Sequence, residues 1–375
     1  MANQKLHIIS FDVPYPADYG GVLDIFHKIR HLHRLNIEIH LHCFDYGRGE
    51  QLELNKYCNQ VNYYPRKKGI LPFLSLWPYI IKTRVNEQLN LNLLQDDAPI
   101  LCEGIHTAAI LLDSRFAHRK IAVRPTNIEH HYYQLLAKSE KNWLKKLYLI
   151  SESLKLKLFD RHHQKASCVY PVSDSDFQYF TKTFPQLNNQ KIYPFNALDE
   201  VDILLGKGDY ALFHGNLSVA ENVNIAEFII RHIASKTYYP LVIAGKNPSA
   251  KLIKLANERK VKIMCNLTEV EMINLIKNAH IQLMITFQPT GFKHKFLQSL
   301  FIGRHIIANN QMLSGSNLAP LVHLIKTADD LVEKINQLKD IEFTQELIAQ
   351  RIAGIHEEHQ NDYKAKLLIS NFLNS

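Results

Sequence analysis

Residues Ile281 to Asn309, IQLMITFQPTGFKHKFLQSLFIGRHIIAN, decide how this chain is read. The apolar run Ile281 to Thr286 has the length and composition of a buried strand. Pro289 and Gly291 then mark a turn, Lys293 to Ile302 carry helical periodicity, Gly303 stops the helix, and His305 to Ala308 form a second short apolar strand. Strand, loop, helix, strand is the crossover unit of a parallel sheet. Its loop lies at the carboxyl end of a strand, where open α/β sheets bind ligands, because the first helical turn offers unpaired N–H groups and the positive end of the dipole. Gly291 lets a backbone approach closely, and Lys293 and Lys295 add positive charge beside it. That corner suits a diphosphate, and it equally suits an ordinary crossover with solvated lysines.

With 375 residues, 46% hydrophobic and 21% charged, the chain has a globular composition and room for two domains of ordinary size. The start, MANQKLHIISFDVP, reads as a first strand rather than a signal peptide, and no apolar stretch approaches a membrane span. Cys43, Cys58, Cys102, Cys168 and Cys265 are scattered without metal-ligand spacing, so they are expected to be reduced core thiols of a cytoplasmic protein. No metal site is expected. The net charge of +8 is uneven: residues 1–196 carry 25 Lys and Arg against 18 Asp and Glu. An anionic membrane face or a lipid diphosphate fits that excess better than nucleic acid, for which no motif is present.

In the first half, strand Leu6 to Phe11 runs into DVPYPADYGG and a helix from about Gly21 to Leu35. Gly20 and Gly21 open that helix with backbone alone, which suits a phosphate or sugar and also suits a simple corner. Residues 63–85 break the α/β rhythm: Arg66, Lys67 and Lys68 stand beside Phe73, Trp77 and Tyr79, with Pro72 and Pro78 interrupting any long helix. This is either a loop with inward aromatics or a basic, aromatic surface for anionic lipid at the inner face of the membrane. A second basic segment, Lys138 to Lys165, spaces Leu144, Leu147, Ile150, Leu154 and Leu158 helically between Lys145, Lys146, Lys155 and Lys157, and the apolar face is expected to be core. Between these segments, two strands end in Glu103-Gly104-Ile105-His106 and in Arg124-Pro125-Thr126-Asn127-Ile128-Glu129-His130-His131, which together make a convergent cleft credible. Strand Cys168 to Val172 ends in SDSD, a helix N-cap.

The pattern restarts near residue 200. Strand Tyr210 to His214 meets Gly215-Asn216-Leu217, strand Pro240 to Ala244 meets Gly245-Lys246-Asn247-Pro248, and strand Val261 to Cys265 meets Asn266-Leu267-Thr268, each before a helix. Thr268 with Glu271 is a capping box. Domains at 1–198 and 199–355, then a terminal helix 356–375, are the expected division, each domain a doubly wound α/β sheet.

The segments 122–133, 211–225, 241–248 and 284–309 together resemble a GT-B glycosyltransferase of the retaining type often called family 4. In the first, Arg124, Asn127, Ile128, Glu129 and His130 match the family's Arg-x-x-Asn-Ile-Glu-His pattern; in the last, Thr290-Gly291-Phe292-Lys293 and Gln298 take the positions of its donor loop. Thr290 and Gln298 stand where the family carries two glutamates eight apart, and the Arg and Lys that many relatives place after the loop glycine are missing from Gly215 to Glu221. The resemblance implies a GT-B fold of two Rossmann-like domains facing a central cleft, with the last helix crossing back to the first domain. It also implies transfer of a sugar from a nucleotide diphosphate sugar to a glycan or lipid-linked acceptor of cell-surface polysaccharide synthesis, with retention and without a metal or other cofactor. Lys293 and the backbone at Gly291 and Phe292 would face the diphosphate, Gln298 the ribose, and Gly215, Asn216, Gly245, Lys246 and Asn266 the nucleotide. His106, Glu103, Asn127, Glu129, His130, Gly20 and Gly21 would line the acceptor side, with Glu129 or His106 serving as base if the reaction inverts. Loss of the glutamates keeps open a weak subunit supporting a partner, and the scaffold keeps open a nucleotide-sugar epimerase or hydrolase.

Overall fold

Short strands build two parallel sheets in the computed structural model, which describes residues 4–287, 293–313 and 316–374. The chain divides into two units, Met1–Phe195 with Glu357–Ser375, and Asn196–His356.

In the first unit the strands are β1 (Lys5–Ser10), β2 (Glu38–Asp45), β3 (Gln60–Pro65), β4 (Ile100–Glu103), β5 (Ile121–Arg124), β6 (Cys168–Val169) and β7 (Asn188–Asn189). They lie in the order β3-β2-β1-β4-β5-β6-β7, all parallel, with Ile8 opposite Leu41 on one side and Leu101 on the other. The helices are α1 (Gly20–Arg34), α2 (Tyr79–Lys82), α3 (Glu87–Leu93), α4 (Glu129–Ser139), α5 (Trp143–Asp160) and α6 (Asp174–Thr183). Alternation along β1 sends Ile8 to one face, against Ile25, Ile29 and Leu32 of α1, and Ile9 to the other, against Leu156 and Phe159 of α5. Ser173 accepts from Asp176 N–H at the start of α6, the cap read from SDSD.

In the second unit β8 (Ala211–His214), β9 (Leu241–Gly245), β10 (Lys262–Cys265), β11 (Ile281–Met284), β12 (His305–Asn309) and β13 (His323–Ile325) are ordered β10-β9-β8-β11-β12-β13, again parallel. Its helices are α7 (Ala220–Phe228), α8 (Ala250–Glu258), α9 (Glu269–Asn278), α10 (His294–Ile302), α11 (Asn310–Leu313), α12 (Ala328–Leu338) and α13 (Gln345–Gly354). The expected capping box of Thr268 and Glu271 opens α9. Both sheet faces are covered, one by α7 and α12 and the other by α10. The chain then returns to the first unit as α14 (Asn361–Leu368) and a π turn, packing Ala365, Leu368 and Phe372 into its core beside α1. His31 Nδ1 on α1 meets Asp362 Oδ1 on α14 at 2.9 Å.

Three expectations need correction. The leucine stripe of α5 is not core: Leu144, Leu147, Ile150, Leu154 and Leu158 are exposed, while Glu152, Ser153 and Asp160 on the opposite face are buried. The reason is polar pairing, because Glu152 accepts the Tyr79 N–H, Ser153 Oγ donates to the His130 carbonyl, and Asp160 Oδ2 lies 2.6 Å from His130 Nδ1. Cys265 is exposed, unlike the other four cysteines. Finally, Glu103 is fully buried beneath the sheet edge, with its Oε1 2.5 Å from Lys28 Nζ.

Lys28 and Glu103 belong to a buried ionic cluster that includes Asp24 and Arg124. Arg124 donates to both Asp24 carboxylate oxygens at 3.1 Å and to the carbonyls of Ile192 and Tyr193, while Asp24 Oδ1 accepts the Phe195 N–H. Lys364 of α14 donates to the Pro194 carbonyl. The cluster therefore fixes residues 192–195, the last of this segment before the second unit begins.

Candidate functional site

In the second unit the carboxyl ends of β8, β9 and β10 bring polar groups from three loops together. Gly245 allows this: a Cβ there would lie 1.9 Å from the Gly215 carbonyl oxygen, so no side chain fits. The loops are tied by Leu217 N–H to the Lys246 carbonyl and by Asn247 N–H to Asn266 Oδ1. Asn247 and Asn266 both take left-handed backbone, which asparagine tolerates well. Gly215, Asn216, Gly245, Lys246 and Asn266 thus share one edge of the sheet.

At the neighbouring β11 edge, Thr290, Gly291 and Phe292 lie outside the described residues. Lys293 is the N-cap residue of α10 and Lys295 sits in its first turn. Lys295 Nζ lies over the Phe213 ring at 4.7 Å and donates to Asn222 Oδ1 at 3.3 Å, which places it at the start of α7. Burial pushes its amine down to about 8, Glu221 opposes that shift and Lys293 adds to it. Burial also lowers Lys293, with Glu221 opposing. Glu221 is held by the Thr286 hydroxyl, and Thr286 is held through both backbone groups by Asn309. Asn222 Nδ2 donates to the Asn216 carbonyl. Gln298 follows Lys295 by three residues on α10, half-buried on an adjoining face. Behind this edge His214 is fully buried 3.4 Å from Ser299 Oγ, and burial holds its imidazole down at about 3, neutral. Glu221 and Asn222 escaped assignment from sequence because only tertiary contact between the β8 and β11 loops brings them beside Lys295.

In the first unit, the carboxyl edge gathers His106, Arg84, Arg66 and Tyr133 around Phe11 and Asp12. Arg84 Nε donates to the Phe11 carbonyl and Nη1 to the Ile80 carbonyl. Burial brings its guanidinium down to about 10, and Arg66 adds repulsion. His106 packs on the Phe11 ring at 5.2 Å, and its Nδ1 is buried with no hydrogen-bond partner. Burial, with Arg84 and Arg66 nearby, keeps the imidazole neutral. Gly104 makes room for that ring: its φ is +70°, and a Cβ would lie 2.7 Å from His106 Nδ1. Gly20 and Gly21 open α1 without a side-chain cap, and Gly21 is pressed against Phe11. Asp12 accepts from the Tyr19 hydroxyl and the Val13 N–H, with Arg48 Nε at 3.5 Å. Arg84 and Asp12 were not singled out from the sequence, since their places at this edge are set by Arg84 reaching the Phe11 carbonyl and Arg48 reaching Asp12.

Glu129 starts α4 and accepts a 3.4 Å hydrogen bond from Asn127. Burial pushes its carboxyl up to about 7; the Asn127 hydrogen bond opposes, and Asp160 and Asp176 add to the rise. Two residues expected on the acceptor side lie elsewhere: Glu103 is taken up by the ionic cluster, and His130 turns inward onto Asp160 between α4 and α5. The Glu129 shift gives a signed prediction. Between about pH 4.5 and pH 7 the native state holds a proton that the unfolded chain has released, so the carboxyl's effect on stability worsens as pH rises through that window. Glu129→Gln is expected to match wild type at pH 4.5 and to exceed it increasingly up to pH 7, by at most about 3 kcal/mol, in urea titrations at each pH. A pH-independent difference would refute the shifted carboxyl.

No family model matches this chain. A curated relative, an uncharacterised 44.6 kDa protein in the cps region of Klebsiella pneumoniae, is 24% identical over 330 residues, covering 84% of this chain and 78% of that protein. Among solved structures, a glycosyltransferase from Rickettsia africae ESF-5 superposes with a TM-score of 0.65 at 12% identity, over 100% of this chain and 99% of that one. TarM of S. aureus gives a TM-score of 0.66 at 10% identity over 99% and 98%. Anabaena Alr3699/HepE, in complex with UDP and glucose, gives 0.59 at 13% identity over 99% and 96%. The chain has the GT-B fold.

Proposed function

We propose that this protein is a glycosyltransferase that moves a hexose from a nucleoside diphosphate sugar to an acceptor, with the diphosphate held by Lys293 and Lys295. The observation that carries this reading is the pair of partly buried lysines at the β11 edge, beside the loops closed over Gly215 and Gly245. A buried amine whose charge is disfavoured in the empty protein gains most from an incoming dianion, and it can neutralise the leaving diphosphate as the anomeric C–O bond breaks. Gln298 offers both a donor and an acceptor to the ribose. In the retaining mode the acceptor's proton passes to the leaving phosphate oxygen, and no side-chain base is required. In the inverting mode Glu129, with its carboxyl near 7, or neutral His106 takes it. The cps-region setting of the Klebsiella relative supports a glycan or lipid-linked acceptor in surface polysaccharide synthesis.

The test is a thermal-shift panel of UDP, GDP, ADP, CMP and TDP, with and without magnesium, on wild type and Lys295→Met. A ligand at a hundredfold its Kd stabilises the native state by about 2.7 kcal/mol, an easily visible shift. One nucleoside diphosphate is expected to raise the wild-type Tm without magnesium and to lose most of that effect in the variant. No shift with any nucleotide would overturn the donor assignment and favour the weak subunit supporting a partner, the reading that Gln298 in place of a glutamate keeps in view.

A further inference from the structure

We propose that the outward face of α5, together with Ile70 and residues 72–76, is a docking surface for an anionic lipid bilayer. Six side chains of α5 point to solvent along one face, from Ile150 at 42% exposure to Trp143 at 67%. The helix has 18 residues and is about 27 Å long, so the apolar stripe runs its whole length. Ile70, Leu74 and Leu76 are also highly exposed, Leu76 at 92%. Their segment is fastened to α5, since Phe73 packs on Tyr148 at 5.3 Å and the Phe73 carbonyl accepts from Lys155. A contiguous apolar surface of this extent is rare on a soluble monomer unless something covers it.

The charges around the stripe select the occupant. Both carboxylates of α5, Glu152 and Asp160, face inward, Glu152 pairing with Lys155 and Asp160 with His130. On the outside stand Lys146 and Lys157, flanking the leucines, with Lys141 beside Trp143 at the amino-terminal end. Leucines bordered by lysines, with a tryptophan at the basic end, match a helix lying in the headgroup layer of an anionic membrane. A second copy of the chain would set Lys146 and Lys157 against their own kind, and Glu140 at the amino-terminal end is already paired with Lys145 at 2.8 Å. None of the described helices is long and apolar enough to cross a membrane, so the contact is peripheral. The surface also adjoins the polar edge of its own unit: Phe73 stacks on Tyr79 at 4.1 Å, and Arg66 lies over the Tyr79 ring. This proposal stands on the surface alone and does not depend on the transfer chemistry.

The experiment is flotation of the full chain with phosphatidylcholine vesicles and with vesicles containing 30% phosphatidylglycerol. Binding to the anionic vesicles only, weakening as salt is raised, is expected, with a loss of at least tenfold in Leu147→Glu/Leu154→Glu. Both positions are exposed, so the variant keeps the wild-type unfolding midpoint. A measurement on the unaltered chain accompanies it: lipids brominated on the acyl chain are expected to quench Trp143. Equal binding by the double variant, absence of quenching, or a dimer that the double variant dissociates would each overturn the proposal, the last by assigning the face to a second copy.

Discussion

Lys295→Met is expected to lower kcat by about 100- to 1000-fold, because removing one preorganised charge from a leaving diphosphate costs roughly 3–4 kcal/mol of transition-state stabilisation. Lys293→Ala is expected to fall in the same range. Lys295 sits in the first turn of α10 with its amine over the Phe213 ring. Burial keeps its amine near 8 against an ordinary value of 10.5, so the charge costs up to about 3 kcal/mol of stability below pH 8, and the cost fades as pH rises from 8 to 10.5. Lys295→Met should therefore keep or raise Tm at pH 7 while turnover collapses. Nucleoside diphosphate affinity should weaken above pH 8, by up to about tenfold per pH unit, as binding begins to require uptake of a proton. Titration calorimetry in two buffers of different ionisation enthalpy measures that uptake, and release of nucleoside diphosphate from donor measures turnover. Undiminished turnover in both lysine variants would remove the basis for the diphosphate corner.

Arg124→Met is expected to destabilise the first unit by about 3–5 kcal/mol, the usual consequence of removing one partner from a buried ionic cluster. Arg124 is fully buried, and its loss takes the guanidinium from both Asp24 oxygens and its hydrogen bonds from the carbonyls of Ile192 and Tyr193. Arg124→Lys should not restore stability, since an ammonium cannot span both Asp24 oxygens and two carbonyls at once. Both tryptophans, Trp77 and Trp143, lie in the first unit, so fluorescence in a urea titration reports that unit directly. A loss below 1 kcal/mol would show that the cluster is dispensable.

The sequence by itself determined the α/β class, the carboxyl-edge placement of the loops and the restart of the pattern near residue 200. Each follows from local information: strand-length apolar runs, helical periodicity, caps such as Thr268 with Glu271, and glycines at loop mouths. The sequence also singled out the β11 to β12 crossover by its strand, turn and helix pattern. It could not tell which members of the Arg124 to His130 motif are structural. Arg124 finds Asp24 a hundred residues away, and His130 finds Asp160. Helical spacing likewise revealed the stripe of α5 without revealing its side, because periodicity groups residues on a face and says nothing of which face meets the sheet. The tertiary structure decided that, by satisfying Glu152, Ser153 and Asp160 inside and leaving the leucines out. It also decided the partners of Lys295, since a charge acquires a role only from groups that folding brings beside it.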